Sequence, residues 1–341
     1  MVVTGSPTAR EEPPRAPGLV ERAEEAVRAA DDDPRAARLT AQSLLTEAAR
    51  RRDWEAVAVA ERALARAACE LGEVPDAIVH VRRALAAATR CGVADRVVEI
   101  QTTAANVWLL QGDHAKAFAA LAAADVAAGG ATDPRTEAQR AVVLWRTGQL
   151  DAAIGLSQAL VRRADLDAKL RADALVNLGC MWGEQGRFVP AGAALAEAVE
   201  LFDQLGLALA AADATYNLSH LRTLEGHLPE ALRLLDDVEE RLVAAGASTL
   251  WVVLGRTHLL LQANLVEEAV QVCEAVAADR TVPLHVRAEA TWRLALALLR
   301  AGDLARATKE ASAAARRSST SSSSRRASGR WPSRVRRCER L

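Results

Sequence analysis

Aromatic residues are scarce: seven Trp, three Phe and one Tyr make up 3% of the 341 residues. Apart from Val, the β-branched residues that favour strands are thin as well, while Ala, Leu, Arg and Glu, which favour helices, are plentiful. Long apolar runs are missing; nothing approaches the roughly 18 uncharged residues that a membrane span requires. The opening stretch MVVTGSPTAREEPP has no basic region followed by an apolar core, so no secretory signal is read there and the cytoplasm is the expected location. Catalytic signatures are also absent: no GxxxxGK loop, no GxSxG elbow, no HExxH helix. Cys69, Cys91, Cys180, Cys273 and Cys338 are scattered without a CxxC or a Cys/His metal spacing. The first four read as small buried hydrophobes. No enzyme activity, cofactor or metal is expected.

Charge of one sign is lacking overall, but not locally. The net charge is −1, yet residues 316–341 hold nine Arg and one Glu, so residues 1–315 carry −9. Residues 1–18, with Pro7, Pro13, Pro14 and Pro17 among charged and small residues, are expected to be disordered.

What the chain does have is a register. In Leu178–Val199, Leu178, Gly179 and Trp182 share one helical face, Gly186 breaks the chain, and Ala191, Leu195 and Ala198 share the face of a second helix. A breaker followed five residues later by Ala recurs: Asp32 with Ala37, Gly72 with Ala77, Gly112 with Ala117, Gly148 with Ala153. The series continues with Gly186 and Ala191, Gly226 and Ala231, Asn264 and Ala269, Gly302 and Ala307. Successive breakers lie 40, 40, 36, 38, 40, 38 and 38 residues apart. Seven residues before each breaker stands a small residue: Ala65, Ala105, Ala141, Gly179, Ser219, Thr257 and Ala295. Only the first repeat departs, with Glu25. Small residues at both positions let two antiparallel helices approach closely, and Gly or Asn tolerates the left-handed backbone of a sharp helix end.

This pattern resembles the tetratricopeptide repeat (TPR), a helix–turn–helix unit of about 34 residues. The predicted fold is all-α, a right-handed α-solenoid of about eight TPR-like helix pairs over residues 19–317. About four residues per repeat exceed the TPR length, which implies one extra helical turn or longer links such as residues 129–134 and 243–248.

In each first helix, the residue nine before the breaker is expected to face a concave groove: Thr103, Gln139, Asn177, Asn217, Gly255 and Arg293. Three positions on come Asn106, Val142, Cys180, His220, His258 and Leu296. Polar side chains at these positions predict a hydrogen-bonding ladder for a protein or peptide ligand. In TPR proteins, Asn and basic residues in such places grip a peptide backbone or carboxylate, and Asn177 and Asn217 fit that pattern in consecutive repeats. Tyr216 and Trp292 lie nearby as apolar anchors. The candidate partner groove is therefore Thr103, Asn106, Gln139, Asn177, Tyr216, Asn217, His220, His258, Trp292 and Arg293. The other tryptophans are expected to pack between repeats.

The stretches LGEVPDAIVHVRRAL, RTGQLDAAIGLSQAL, LEGHLPEALRLLDDVEERL and RAGDLARATKEASAA resemble the N-terminal TPR region of high-GC bacterial CHAT-domain (caspase-like) proteins. The resemblance implies a non-catalytic interaction scaffold, the regulatory array of a CHAT-type protein without its catalytic domain. A MalT-like transcriptional regulator, whose sensor region is a similar array, is the alternative. The tail 318–341 is low in complexity and rich in Ser and Arg. It is expected to be disordered and to be a frame-shift product rather than native fold. No membrane partner is expected, and no nucleic acid except through phosphate contacts of this basic tail.

Overall fold

The structure, a computed structural model, describes residues 18–131, 133–282 and 284–320. The expected disorder of residues 1–18 and the expected disordered, frame-shifted tail 318–341 lie outside the described residues, except for Gly18 and for residues 318–320, which continue the last helix. Sixteen helices in eight consecutive pairs make up the described chain, with no strand among them. The first four pairs are α1 (Leu19–Ala29) and α2 (Pro34–Arg51), α3 (Trp54–Glu70) and α4 (Val74–Cys91), α5 (Ala94–Gln111) and α6 (His114–Ala127), α7 (Pro134–Arg146) and α8 (Leu150–Val161). The last four are α9 (Ala168–Glu184) and α10 (Phe188–Gln204), α11 (Ala208–Leu224) and α12 (Leu228–Ala244), α13 (Leu250–Gln262) and α14 (Val266–Ala278), α15 (Leu284–Arg300) and α16 (Leu304–Thr320). The last helix runs three residues past the expected boundary at 317.

Each breaker from Gly72 onward has a left-handed backbone, with φ between 59° at Asn264 and 84° at Gly112 and Gly148. The hydrogen bonds around them repeat without exception. The amide after the breaker donates to the carbonyl four residues before it, as in Glu73 to Ala68 (2.8 Å), Arg187 to Trp182 (2.9 Å) and Asp303 to Leu298 (3.0 Å). The breaker's own amide donates to the carbonyl three residues back, as in Gly186 to Gly183 (2.9 Å). These are Schellman turns, which satisfy the carbonyls that a helix end would leave bare. The Asp31–Asp33 turn of the first repeat lacks the left-handed residue; there Asp33 instead caps α2, accepting from the amides of Arg35 and Ala36, with Pro34 in the first turn.

Both small positions are buried in every repeat from the second on. Ala77, Ala117, Ala153, Ala191, Ala231 and Ala269 are fully buried, and so are their partners from Ala65 to Thr257. Glu25, the one departure, is exposed. Gly179 shows how tight the approach is: a Cβ there would lie 2.7 Å from Leu195 Cγ and 3.1 Å from the Ala191 carbonyl oxygen.

The extra residues per repeat go to both places. Helices α3–α5 and α9–α12 are 17 or 18 residues long. Helices α6, α7, α8, α13 and α14 are only 12 to 14 long, and there links such as 128–133 and 162–167 take up the difference. The 162–167 link has no glycine. Arg171 of α9 replaces it, donating to the carbonyls of Val161 and Arg163 (2.6 Å to the latter).

Consecutive helices pack together, and each odd-numbered helix also packs on the next odd-numbered one. The odd helices therefore form one layer and the even helices a second. One apolar core runs from Leu19 to Val143, a second from Trp145 to Leu221, and smaller clusters follow. No described helix is long and apolar enough to cross a membrane.

Because Gly179 and Ala191 have no room for larger side chains, Gly179→Leu and Ala191→Leu are each expected to destabilise the fold by about 1–3 kcal/mol. Urea unfolding followed by circular dichroism measures it, and near-neutral values at both sites would contradict the helix-pair register.

Candidate functional site

The inner, odd-numbered layer carries the sequence-derived candidates, and it divides into two chemically different halves. In the N-terminal half, charged side chains from four helices close on one another. Arg62 of α3 donates to Glu99 of α5 (2.8 Å) and to the Thr103 hydroxyl (3.1 Å). Arg96 of α5 reaches Glu99 (3.0 Å), Glu55 of α3 (2.9 Å) and Glu24 of α1 (2.7 Å), and Arg135 of α7 approaches Glu99 at 3.5 Å. Burial holds the Arg62 guanidinium down at about 10; Glu99 pulls it up, while Arg66, Arg135 and Arg96 push it lower. For Arg96 burial acts downward too, but hydrogen bonds to Glu55, Glu24 and Glu99 outweigh it and raise the group.

Thr103 is thus committed inside this lattice, buried, with its own hydroxyl donating to the Glu99 carbonyl (3.0 Å). Sequence reasoning missed the lattice. The signal was present, because Arg62 and Glu99 are 37 residues apart and Glu55 and Arg96 are 41 apart, about one repeat in each case.

The C-terminal half holds the rest. Asn177 and Asn217 are buried, at 6% and 1% exposure, not displayed on an open surface. The cause is the packing of neighbouring odd helices, seen at Tyr216. Its ring meets Trp251 edge-on (centroids 5.0 Å apart, planes at 72°) and lies so close over Gly255 that a Cβ there would fall 2.6 Å from the hydroxyl. Tyr216 is therefore an inter-repeat wedge between α11 and α13.

Asn217 stands out among these buried groups. Neither its Nδ2 nor its Oδ1 has a hydrogen-bond partner among the described residues. It borders a small cavity lined by Gly179, Cys180, Gly183, Leu195, His220 and Leu221, with Leu224 at the rim. His220 is half-buried and Leu224 is 37% exposed, so this cavity opens outward between α9 and α11.

Further along, Arg293 is held by Glu289 (2.9 Å) and by the Leu254 carbonyl of α13 (3.0 Å). His258 is exposed, and its imidazole is lowered first by desolvation and then by the charges of Arg293 and Arg300. A neutral ring is thereby favoured, which weakens any part it plays in gripping a carboxylate. Trp292 is 49% exposed. Asn106 and Gln139 are half-buried, and Gln139 Nε2 has no partner among the described residues. Of the four cysteines expected to be buried, Cys69, Cys180 and Cys273 are, whereas Cys91 is only half-buried; Cys180 is not a free thiol but disulfide-bonded. The ten candidates do not make one surface: Asn217 and His220 line the cavity, while Thr103 belongs to the lattice.

Two stability measurements follow. Glu99→Ala leaves buried Arg62 without its carboxylate, while Arg96 keeps Glu55 and Glu24, and is expected to cost about 3 kcal/mol. Asn217→Leu removes two unsatisfied polar atoms and should leave the melting temperature unchanged or raise it, since an unsatisfied buried group costs roughly 1–3 kcal/mol. A large loss of stability at Asn217→Leu would show that its amide is satisfied in the folded protein.

No family model matches the chain. No curated protein is significantly similar in sequence. Among solved structures, the STAND-class signal transduction ATPase with a tetratricopeptide repeat sensor from Pyrococcus horikoshii superposes with a TM-score of 0.59 at 15% identity, over 88% of this chain and 46% of that one. A Rap protein complexed with Competence and Sporulation Factor gives 0.58 at 14% identity, over 88% of this chain and 86% of that one. Aspartyl phosphate phosphatase F from Bacillus subtilis gives 0.52 at 14% identity, over 81% and 75%. At such identities the likeness concerns architecture alone, and the architecture is that of a TPR-like all-α solenoid.

Proposed function

We propose that this chain is a non-catalytic binding array that takes a segment of another protein, or a peptide, against the inner helices of its C-terminal half. The observation that carries the reading is Asn217. A buried amide with both polar atoms unsatisfied is costly to the fold and breaks a rule that folded chains break mainly at functional or strained sites; we infer that a partner supplies the missing bonds. It sits beside an outward-opening cavity whose rim, His220 and Leu224, combines a polar and an apolar group. The N-terminal half offers no comparable opportunity, because its inner charges already satisfy one another.

The comparisons support a binding role in kind. One similar structure was solved complexed with Competence and Sporulation Factor, and another bears its repeats as a sensor. The finer reading, a regulatory array of a CHAT-type protein, rests on the sequence stretches quoted above. The sensor region of a MalT-like regulator is the second reading, favoured by the similarity to the archaeal ATPase, of which this chain spans less than half.

Selection of peptides from a displayed random library against the full chain tests the site. Selected peptides are expected to lose about 1–3 kcal/mol of affinity to Asn177→Ala with Asn217→Ala, and none to Glu25→Ala at the far end of the array. Unchanged affinity in the folded double variant would move the site to another face.

A further inference from the structure

The last odd-numbered helix differs from all those before it. On α15, Trp292, Leu296 and Leu299 are 49%, 40% and 54% exposed, and their spacing of four and three residues puts them on one stripe. Leu304, at the start of α16, is 63% exposed and follows directly after the turn. At the positions of Trp292 and Leu299, large apolar side chains of earlier repeats are buried against their neighbours, whereas at the position of Leu296 the earlier residues Asn106 and His220 are half-buried and His258 is exposed. Tyr216 and Leu254, ten residues before their breakers as Trp292 is, are 7% and 3% exposed. Trp145, three before its breaker as Leu299 is, is 5% exposed and donates its indole N–H to Glu184 of α9 (2.7 Å). Trp292 and Leu299 thus stand where earlier repeats bury large apolar side chains, and with Leu296 they form an apolar stripe left open at α15 among the described residues.

We propose that a second copy of this chain covers it, with the two α15 helices packed antiparallel across a two-fold axis. The stripe is nearly symmetric about Leu296. An antiparallel partner therefore places Leu296 against its own counterpart, and Trp292 of each copy against Leu299 of the other. A two-fold interface needs just this self-complementarity. The neighbouring cations do not stand in the way. Arg293 and Arg300 are drawn toward α13, donating to the carbonyls of Leu254 (3.0 Å) and Leu261 (3.2 Å), and Arg293 is further neutralised by Glu289. The four apolar side chains leave on the order of 400 Å² uncovered, comparable to the largest apolar patch of a typical monomer, which is often functional. That is about half of the ~800 Å² per partner in a standard interface, enough for its apolar centre. This proposal does not depend on the peptide-binding reading.

Sedimentation equilibrium of the full chain from about 1 to 100 µM tests it. The wild type is expected to dimerise. Leu296→Glu and Leu296→Lys should each be monomeric with unchanged helix content, and an equimolar mixture of the two should recover the dimer, because residue 296 faces itself. Val189→Glu, at an 83% exposed position on α10, should leave the dimer intact. A wild type that stays monomeric at 100 µM overturns the proposal. So does a dimer that survives both Leu296 variants, a mixture that stays monomeric, or a dimer broken by Val189→Glu.

Discussion

A helix with one apolar stripe is not stable alone in water, and everything in this molecule follows from how each stripe finds its cover. The left-handed residue at each turn sets where the second helix of a pair begins and which way it faces. The small residues on either side then decide how near the two helices come. Neither device works without the other. A Schellman turn without the small pair would return the chain at a distance that leaves the stripe wet, and small residues without the turn would have nothing to meet. The fit at Gly179, with no room even for a methyl group, shows that the approach is set by backbone against side chain rather than by large side chains interlocking. This explains how a chain so poor in aromatic residues can still build a continuous core.

The same constraint made the fold readable. Breakers, small residues and Asp–Pro caps are local signals, and each has one backbone consequence. The helix pairs, all seven left-handed breakers and the departure at Glu25 are accordingly found where the residues place them. The inner surface was less legible. Periodicity identifies which residues share a face, but it carries no information on how far the next repeat is rotated over that face. Asn177, Asn217 and Tyr216 were therefore expected to face a groove, yet the adjacent odd helices cover them. Nor does periodicity disclose that Thr103 would be taken up by Arg62. Such cross-repeat pairs show in a sequence only when residues one repeat apart are compared, as Arg62 with Glu99 or Glu55 with Arg96.

The two halves of the inner layer solve one problem differently. Polar groups between close helices must be paired or left unsatisfied. In the first four repeats, acids and bases from α1, α3, α5 and α7 cancel within a connected network, which fixes the relative placement of those helices. On α9 and α11 the buried polar side chains include the amides Asn177 and Asn217, a small cavity lies between these helices and α10, and Asn217 has no hydrogen-bond partner among the described residues. The first half pairs its buried polar groups across repeats, and the second leaves one of them without a partner among the described residues.

The core changes hands within a single turn of α7. Val143 belongs to the apolar cluster that reaches back to Leu19, and Trp145, two residues later on the same helix, belongs to the one that extends to Leu221. One thin wall is therefore shared by two separately filled rooms. A nearest-neighbour array has no need to come apart all at once. The wall at α7 is thus the place where such an array can loosen on one side while the other side keeps its packing.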